Sequence, residues 1–403
     1  MARPIMQTLR TFSANTGSRR PRDLASSPYR HMKTPVTRHG AGRSVNDLVH
    51  RMNKVARKAA WTGAGLMYPP RVSDVYDCRV TRESSDANDF VRRDIVKRIH
   101  GPALIEPDWG YVIGGRRHLI EDSMRTNWYS RQPPWHLALP SPAKYLLPRP
   151  RPTSPSTLPA VASLRHSYEW NYFHFYFDVL GKLSLLADAG LPESTPLALG
   201  RYADELAFVR ECLSLGTLKY RNWLIPSTED IRADSIYYCR VGRSFKDRID
   251  GVLDGMEIDS ISPTADRKTF LTRPPAATRR ITNSSAVTDL IHSFGFDIVD
   301  TTGMPVAEQI SLFRSTRHLV ANHGAGLTNI VHRRGHPLDV LELYGKYNSF
   351  DFRTICGQFG YRWQGLAGMP EAGRPQHANF EVNLSELEAS LSVMLNSDGG
   401  QAG

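Results

Sequence analysis

The sequence has no long apolar run. Nothing in its 403 residues approaches the ~18 consecutive apolar residues that a helix needs to cross a bilayer, and no signal-peptide apolar core is present. Cysteine is scarce: Cys78, Cys212, Cys239 and Cys356 stand far apart, without C-x-x-C spacing. This argues against a disulfide framework or a cysteine zinc site and for a reducing compartment, so a cytoplasmic location is expected. No internal repeat of short period appears, so a repeat array is not the architecture. Excess charge is also missing from most of the chain. The formal net charge is +11, yet residues 1–60 hold 13 Lys and Arg against 2 Asp and Glu, and the remainder carries 38 of each sign. The basicity is therefore an N-terminal arm, and nucleic acid is not an expected partner.

Residues 1–43 are Arg- and Ser-rich and without periodicity, and a disordered basic arm is expected in preference to a transit peptide. In 44–60, Ser44 and Asp47 form a capping pair ahead of Val45, Leu48, Val49, Met52, Val55 and Ala59 at helical spacing. Arg51, Lys54, Arg57 and Lys58 take the other face. Such a helix either packs on the body or makes peripheral contact with an anionic membrane, here the inner face. Short β-like runs at 103–105, 110–113 and 117–120 make 61–135 a small β-rich region. Nine prolines between Pro133 and Pro159 make 136–160 an extended connection.

An α/β pattern occupies the rest. In 161–262, strands are expected at 161–164, 196–199, 223–225 and 236–238, with helices at 170–189 and 203–213. Phe173, Phe177, Leu180, Leu183 and Ala187 give the first helix one buried stripe. A polar stretch at about 247–266 is expected to separate this half from the next. In 263–396, strands at 269–271, 297–299, 319–321 and 339–341 interleave with helices at 285–294, 306–313, 328–332 and 350–359. A closing helix at 384–395 precedes a flexible tail, 397–403. The series reads as βαβ units, hence a parallel sheet. The expected fold class is α/β, two Rossmann-like halves with a cleft between them, after a small β-rich region and a basic arm.

The stretch from Arg317 to Ile330 reads as a strand, a glycine turn and the start of a helix. Gly324 and Gly326, flanking Ala325, let the backbone approach a ligand, and free N–H groups at a helix start make a seat for a phosphate or diphosphate. His323 and Thr328 add donors at the rim, and Leu327 and Asn329 complete the turn. The dinucleotide fingerprint is broken, because Asn329 stands where G-x-G-x-x-G has its third glycine. Arg273 ends the first strand of this half and Arg279 and Arg280 follow in its loop, where guanidiniums meet a diphosphate bidentately. Glu342, ending the strand after the turn, is expected to accept from ribose hydroxyls. His174 and Asp178 share one helix face at i,i+4, a spacing that suits a general base and the group that orients it. Asp178 is the expected base, with His174 as its competitor, and the sequence alone does not choose between them.

The segment from Trp170 to Leu180 resembles the N-Y-x-H-W-x-F-D-x-L-P segment of family 61 glycosyltransferases. Arg267 to Arg273, Arg279-Arg280-Ile281-x-Asn283, Ala307 to Ile310, Asn322 to Asn329 and Leu341 to Leu343 follow in that family's order. The resemblance covers about 161–395. It departs at Gly181, where the family has Pro, at Phe175, where Trp is frequent, and at Ser284, where Glu often follows the asparagine. It implies a GT-B-like fold and an inverting transfer from a nucleotide-sugar, as in capsular polysaccharide synthesis, to a glycan acceptor. The donor would sit in the C-terminal half, and the acceptor nearer Trp170 and Asn171. The sequence contains no D-x-D metal clamp, so no metal and no cofactor are expected. A nucleotide- or carbohydrate-binding protein that kept the fold without the activity is the alternative.

Overall fold

The computed structural model describes residues 9–10, 76–85, 91–107, 110–114, 118–119, 158–166, 168–201, 203–226, 229–242, 244–256, 266–274, 278–347, 349–372 and 378–396. The basic helix expected at 44–60, most of the proline-rich connection and the tail lie outside them.

Two sheets carry the fold. The first is a nine-stranded mixed sheet. Its parallel centre sets Trp223–Pro226, Leu197–Ala198, Val161–Ser163 and Ile231–Arg240 side by side. Val91–Ile105 pairs antiparallel with Ile231–Arg240 and continues into Val112–Gly114 and His118–Leu119. The β-rich segment thus extends the same sheet. At the far edge Leu9–Arg10, inside the arm expected to lack structure, pairs with Ile225 and Pro226.

The second sheet is parallel throughout, in the order Asp297–Val299, Arg267–Leu271, Thr316–Asn322, Asp339–Tyr344, Arg362–Ala367. In chain order this is 2-1-3-4-5, a doubly wound arrangement. The helices Ser284–Ser293, Val306–Ser315, Asp351–Phe359 and Leu384–Asn396 fall where the apolar periodicity predicts them. The last strand went unpredicted because Arg362–Ala367 alternates poorly, with only Leu366 fully buried.

One expectation is corrected. The polar stretch thought to separate the halves begins as a capped helix, Phe245–Gly255, with the Ser244 side chain accepting from Asp247 N–H. Phe245, Ile249, Val252, Leu253 and Met256 bury one face, at spacings hidden by the intervening charges. This helix joins the two parts: a single buried cluster runs from Phe175 and Phe177 through Phe245 and Ile249 to Ile310, Leu327 and Ile355. Among the described residues no helix is long and apolar enough to cross a membrane.

Candidate active site

In an open doubly wound sheet, the crevice at the strand C-termini where the winding reverses is the natural ligand seat. Here the reversal falls between Arg267–Leu271 and Thr316–Asn322, and both strands end on residues singled out from sequence. Arg273 follows the first strand, and its Nη1 donates to the His323 carbonyl that ends the second, at 2.7 Å. Gly324 is extended, and a Cβ built on it would lie 2.6 Å from Arg273 Nη1. A Cβ at 324 would thus push the Arg273 guanidinium aside, whereas the dihedral angles there suit any residue.

The turn then enters a 3₁₀-helix, Ala325–Arg333, instead of the expected α-helix. Leu327 N–H bonds back to Gly324 O, and the Ala325 and Gly326 amides have no backbone acceptor among the described residues. These two residues are the half-exposed part of the turn, and their amides form the start of the seat.

Arg279 completes it. Its guanidinium lies over the Tyr347 ring at 5.4 Å, and its Nε is buried without a hydrogen-bond partner. Burial depresses the Arg273 pKa to about 10, and the neighbouring charge of Arg279 adds to the effect. Among the described residues no carboxylate forms an ion pair with either guanidinium. Two half-buried cations held together without a counter-ion are costly unless an anion joins them. Among the described residues, Arg279 and Phe350 are also the non-glycine residues in the left-handed region, at φ 61 and φ 59. Backbone strain of this kind concentrates at functional sites.

Several expected contacts lie elsewhere. Arg280 is exposed, held by backbone bonds to Asn379 and Phe380, so of the arginine pair only Arg279 joins Arg273. Glu342 is completely buried and cannot meet a ribose. Its Oε1 lies 2.5 Å from His323 Nδ1, and its Oε2 accepts from Trp363 Nε1 at 2.9 Å. Glu342 therefore orients His323 from below. Leu327, Thr328 and Asn329 are likewise sealed in. The Asn329 side chain ties the parts together, accepting from Tyr172 Oη at 2.7 Å and donating to Gln309 Oε1 at 2.9 Å.

The second centre is built on the helical segment from Tyr172 to Asp188. Asn171 caps it, its side-chain oxygen accepting from Phe173 and His174 N–H. Over Phe175–Leu180 the winding widens to a π-helix, a distortion common at functional sites. His174 Nδ1 lies 2.7 Å from Asp178 Oδ2, and Arg248 Nη1 donates to Asp178 Oδ1 at 2.9 Å. His166 and Tyr168 stack on the His174 ring, each at 5.2 Å, and Trp170, 41 % exposed, stands beside Tyr168.

Burial alone would raise the Asp178 pKa. The His174 hydrogen bond, with His166 and Arg248 nearby, wins and holds it far below the usual carboxylate range. Asp178 is thus a fixed anion with little appetite for a proton, while no described hydrogen bond occupies the outer nitrogen of the His174 ring. Arg248 was missed because it lies on the unpredicted helix, and the Ser244–Asp247 cap was the available signal.

His166, His174 and Asp178 are the one described cluster with metal-ligand potential. Both Asp178 oxygens are already engaged, and the charges of Arg248 and Lys182 reach the cluster, so the donor set suits a positioned imidazole better than a dication. Phe352 links the two centres: its ring meets His323 and Phe173, each at 5.6 Å, and Phe173 meets His174 at 5.4 Å.

The buried imidazoles predict a pH dependence. Burial lowers the His166 pKa to about 3, against the pull of Asp178, and lowers His332 to about 3 with help from Arg314 and Arg334. In the unfolded chain both titrate near the ordinary 6.5. The unfolded state therefore binds more protons between these values, so stability is full above pH 6.5 and declines as pH falls toward 3. Asp178, with its depressed pKa, adds a loss in the same direction at the acid end. Urea midpoints measured from pH 8 to 5 should fall, and His332→Gln should flatten the slope.

The class is that of an open α/β protein with a cationic crevice at its switch point and a half-buried His–Asp–Arg cluster beside it. Residues 172–334 match the family model described as Glycosyltransferase 61, the family that the ordered motifs resemble. The match supports glycosyltransferase activity in general, and it runs from the His174 helix through the glycine turn. A search of curated proteins found no match.

Proposed function

We propose that the chain is an inverting, metal-independent glycosyltransferase that moves a sugar from a nucleotide-sugar to a glycan acceptor, in a GT-B-like arrangement. The observation that carries this reading is the pairing of Arg273 and Arg279, neither with a carboxylate partner among the described residues, where Arg273 clamps the turn whose Ala325 and Gly326 amides have no backbone acceptor. The donor diphosphate lies there and neutralises both cations. His174, oriented through Nδ1 by Asp178, takes the acceptor hydroxyl proton on Nε2. The acceptor oxygen attacks the anomeric carbon as its bond to the diphosphate breaks, and the leaving charge is received by the two guanidiniums and the turn. Asp178 stabilises the imidazolium that forms. Exposed Trp170 beside Tyr168 offers an apolar face to an acceptor sugar. A capsular or other surface glycan is the proposed acceptor, made in the cytoplasm, with the basic N-terminal segment resting on an anionic membrane face.

Thermal denaturation of the purified full chain with UDP, GDP, CMP and dTDP tests the donor reading. A ligand at about 100 times its dissociation constant adds ~2.7 kcal/mol of stability. Stabilisation by none of them would contradict it, and binding without transfer or donor hydrolysis would favour the non-catalytic alternative. Turnover should survive EDTA; its abolition would refute metal independence. Gly324→Ala should weaken diphosphate binding by about tenfold or more while leaving the fold intact, since the new methyl displaces the Arg273 guanidinium.

A further inference from the structure

The segment after the strand Asp339–Tyr344 lies beyond the family match and walls the space between the two centres. Tyr347 packs under Arg279 and meets the His323 ring at 5.4 Å. Phe352 touches His323 on one side and Phe173, the neighbour of His174, on the other. Between these two aromatics the chain passes through the left-handed Phe350 and turns into the helix at Asp351. Phe350 itself is exposed, so its side chain does not account for the strain, and what the turn achieves is the placement of Asp351. That carboxylate is half-buried, hydrogen-bonded to Ser349, and exposed to the charges of Asp178, His174 and His323, hence to both centres at once. Burial raises its pKa, with Asp178 adding and Ser349 opposing.

A donor with its diphosphate on the turn and its anomeric carbon toward His174 must place its sugar between His323 and His174. Asp351 opens the helix beside this interval, next in the chain to Phe352, whose ring meets both His323 and Phe173. We propose that Asp351 reads the transferred sugar, accepting hydrogen bonds from the hydroxyls of a neutral sugar and repelling a donor whose sugar carries a carboxylate. The inference rests on the donor reading above and deepens it. An acceptor-only carboxylate matches a polyhydroxylated, uncharged ring and opposes a like charge. Arg273 and Arg279 stand at the diphosphate end, and Arg248, at the other centre, is already engaged by Asp178.

Calorimetry on the full chain decides it, with the nucleoside diphosphate, its neutral hexose conjugate and its uronic acid conjugate in whichever base series the chain binds. The wild type should prefer the neutral conjugate to the uronate by about tenfold or more. Asp351→Asn should shrink that preference by a similar factor and leave nucleoside diphosphate affinity unchanged, which also shows that the variant is folded. An unchanged preference in Asp351→Asn, or an equal loss for all three ligands, would overturn the role assigned to Asp351. Failure of the wild type to bind any nucleoside diphosphate would instead remove the donor reading, and this inference with it.

Discussion

Arg273→Ala is expected to cost about 10²–10³ in kcat/KM and to bring nucleoside diphosphate binding near the limit of calorimetric detection. The guanidinium does two things that no neighbour duplicates. It clamps the His323 carbonyl, fixing the start of the glycine turn, and it brings a half-buried positive charge to the crevice. Removing it relaxes the turn and leaves a diphosphate with Arg279 and two amides. Arg273→Lys should rescue little, because an ammonium cannot hold the carbonyl and present a second planar donor pair to phosphate together. Stability should hardly change, since the cationic pair is an unfavourable element of the empty protein. An Arg273→Ala variant that binds nucleotide as the wild type does would remove the crevice from the account.

His174→Ala should lower kcat by about 10²–10⁴ while leaving donor affinity intact, the pattern of a lost general base. Asp178→Asn separates the two members of the pair. It also lowers kcat, by releasing the imidazole, but it removes the carboxylate charge to which Arg248 donates, and that side chain is only 4 % exposed. Breaking a buried ion pair from one side costs about 3–5 kcal/mol, so Asp178→Asn should be strongly destabilised where His174→Ala is not. Equal stabilities with equal rate losses would mean that Asp178 is the base itself. The two variants need only steady-state kinetics and a urea titration.

Much of this was legible before any coordinates. The first four strands of the parallel sheet announce themselves by apolar runs bounded by turn residues, and the helix carrying His174 by its aromatic stripe. The residues at the switch point follow from topology: strand ends of a parallel sheet share one edge, so Arg273 and His323–Gly326 had to be neighbours. What sequence reasoning could not see was depth. Glu342 and Thr328 are polar residues at a strand end and in a glycine turn, and only packing decides that one lies beneath His323 and the other inside the core. Asn329 was read as a ligand contact because it sits in a glycine-rich turn, yet it serves as a hydrogen-bond tie to Tyr172. The helix Phe245–Gly255 was hidden because five acidic and basic residues interrupt its apolar spacing, and Arg248 was hidden with it. Asp351 carried no signal in the sequence, since its position depends on a left-handed turn at a phenylalanine.

A crystal structure of the full chain with the nucleoside diphosphate that stabilises it most is the most direct test of the cationic crevice. The diphosphate should accept from the Ala325 and Gly326 amides and from both Arg273 and Arg279, with its open end directed at His174. A diphosphate bound along the mixed sheet, with Arg273 and Arg279 left facing an empty crevice, would contradict the account.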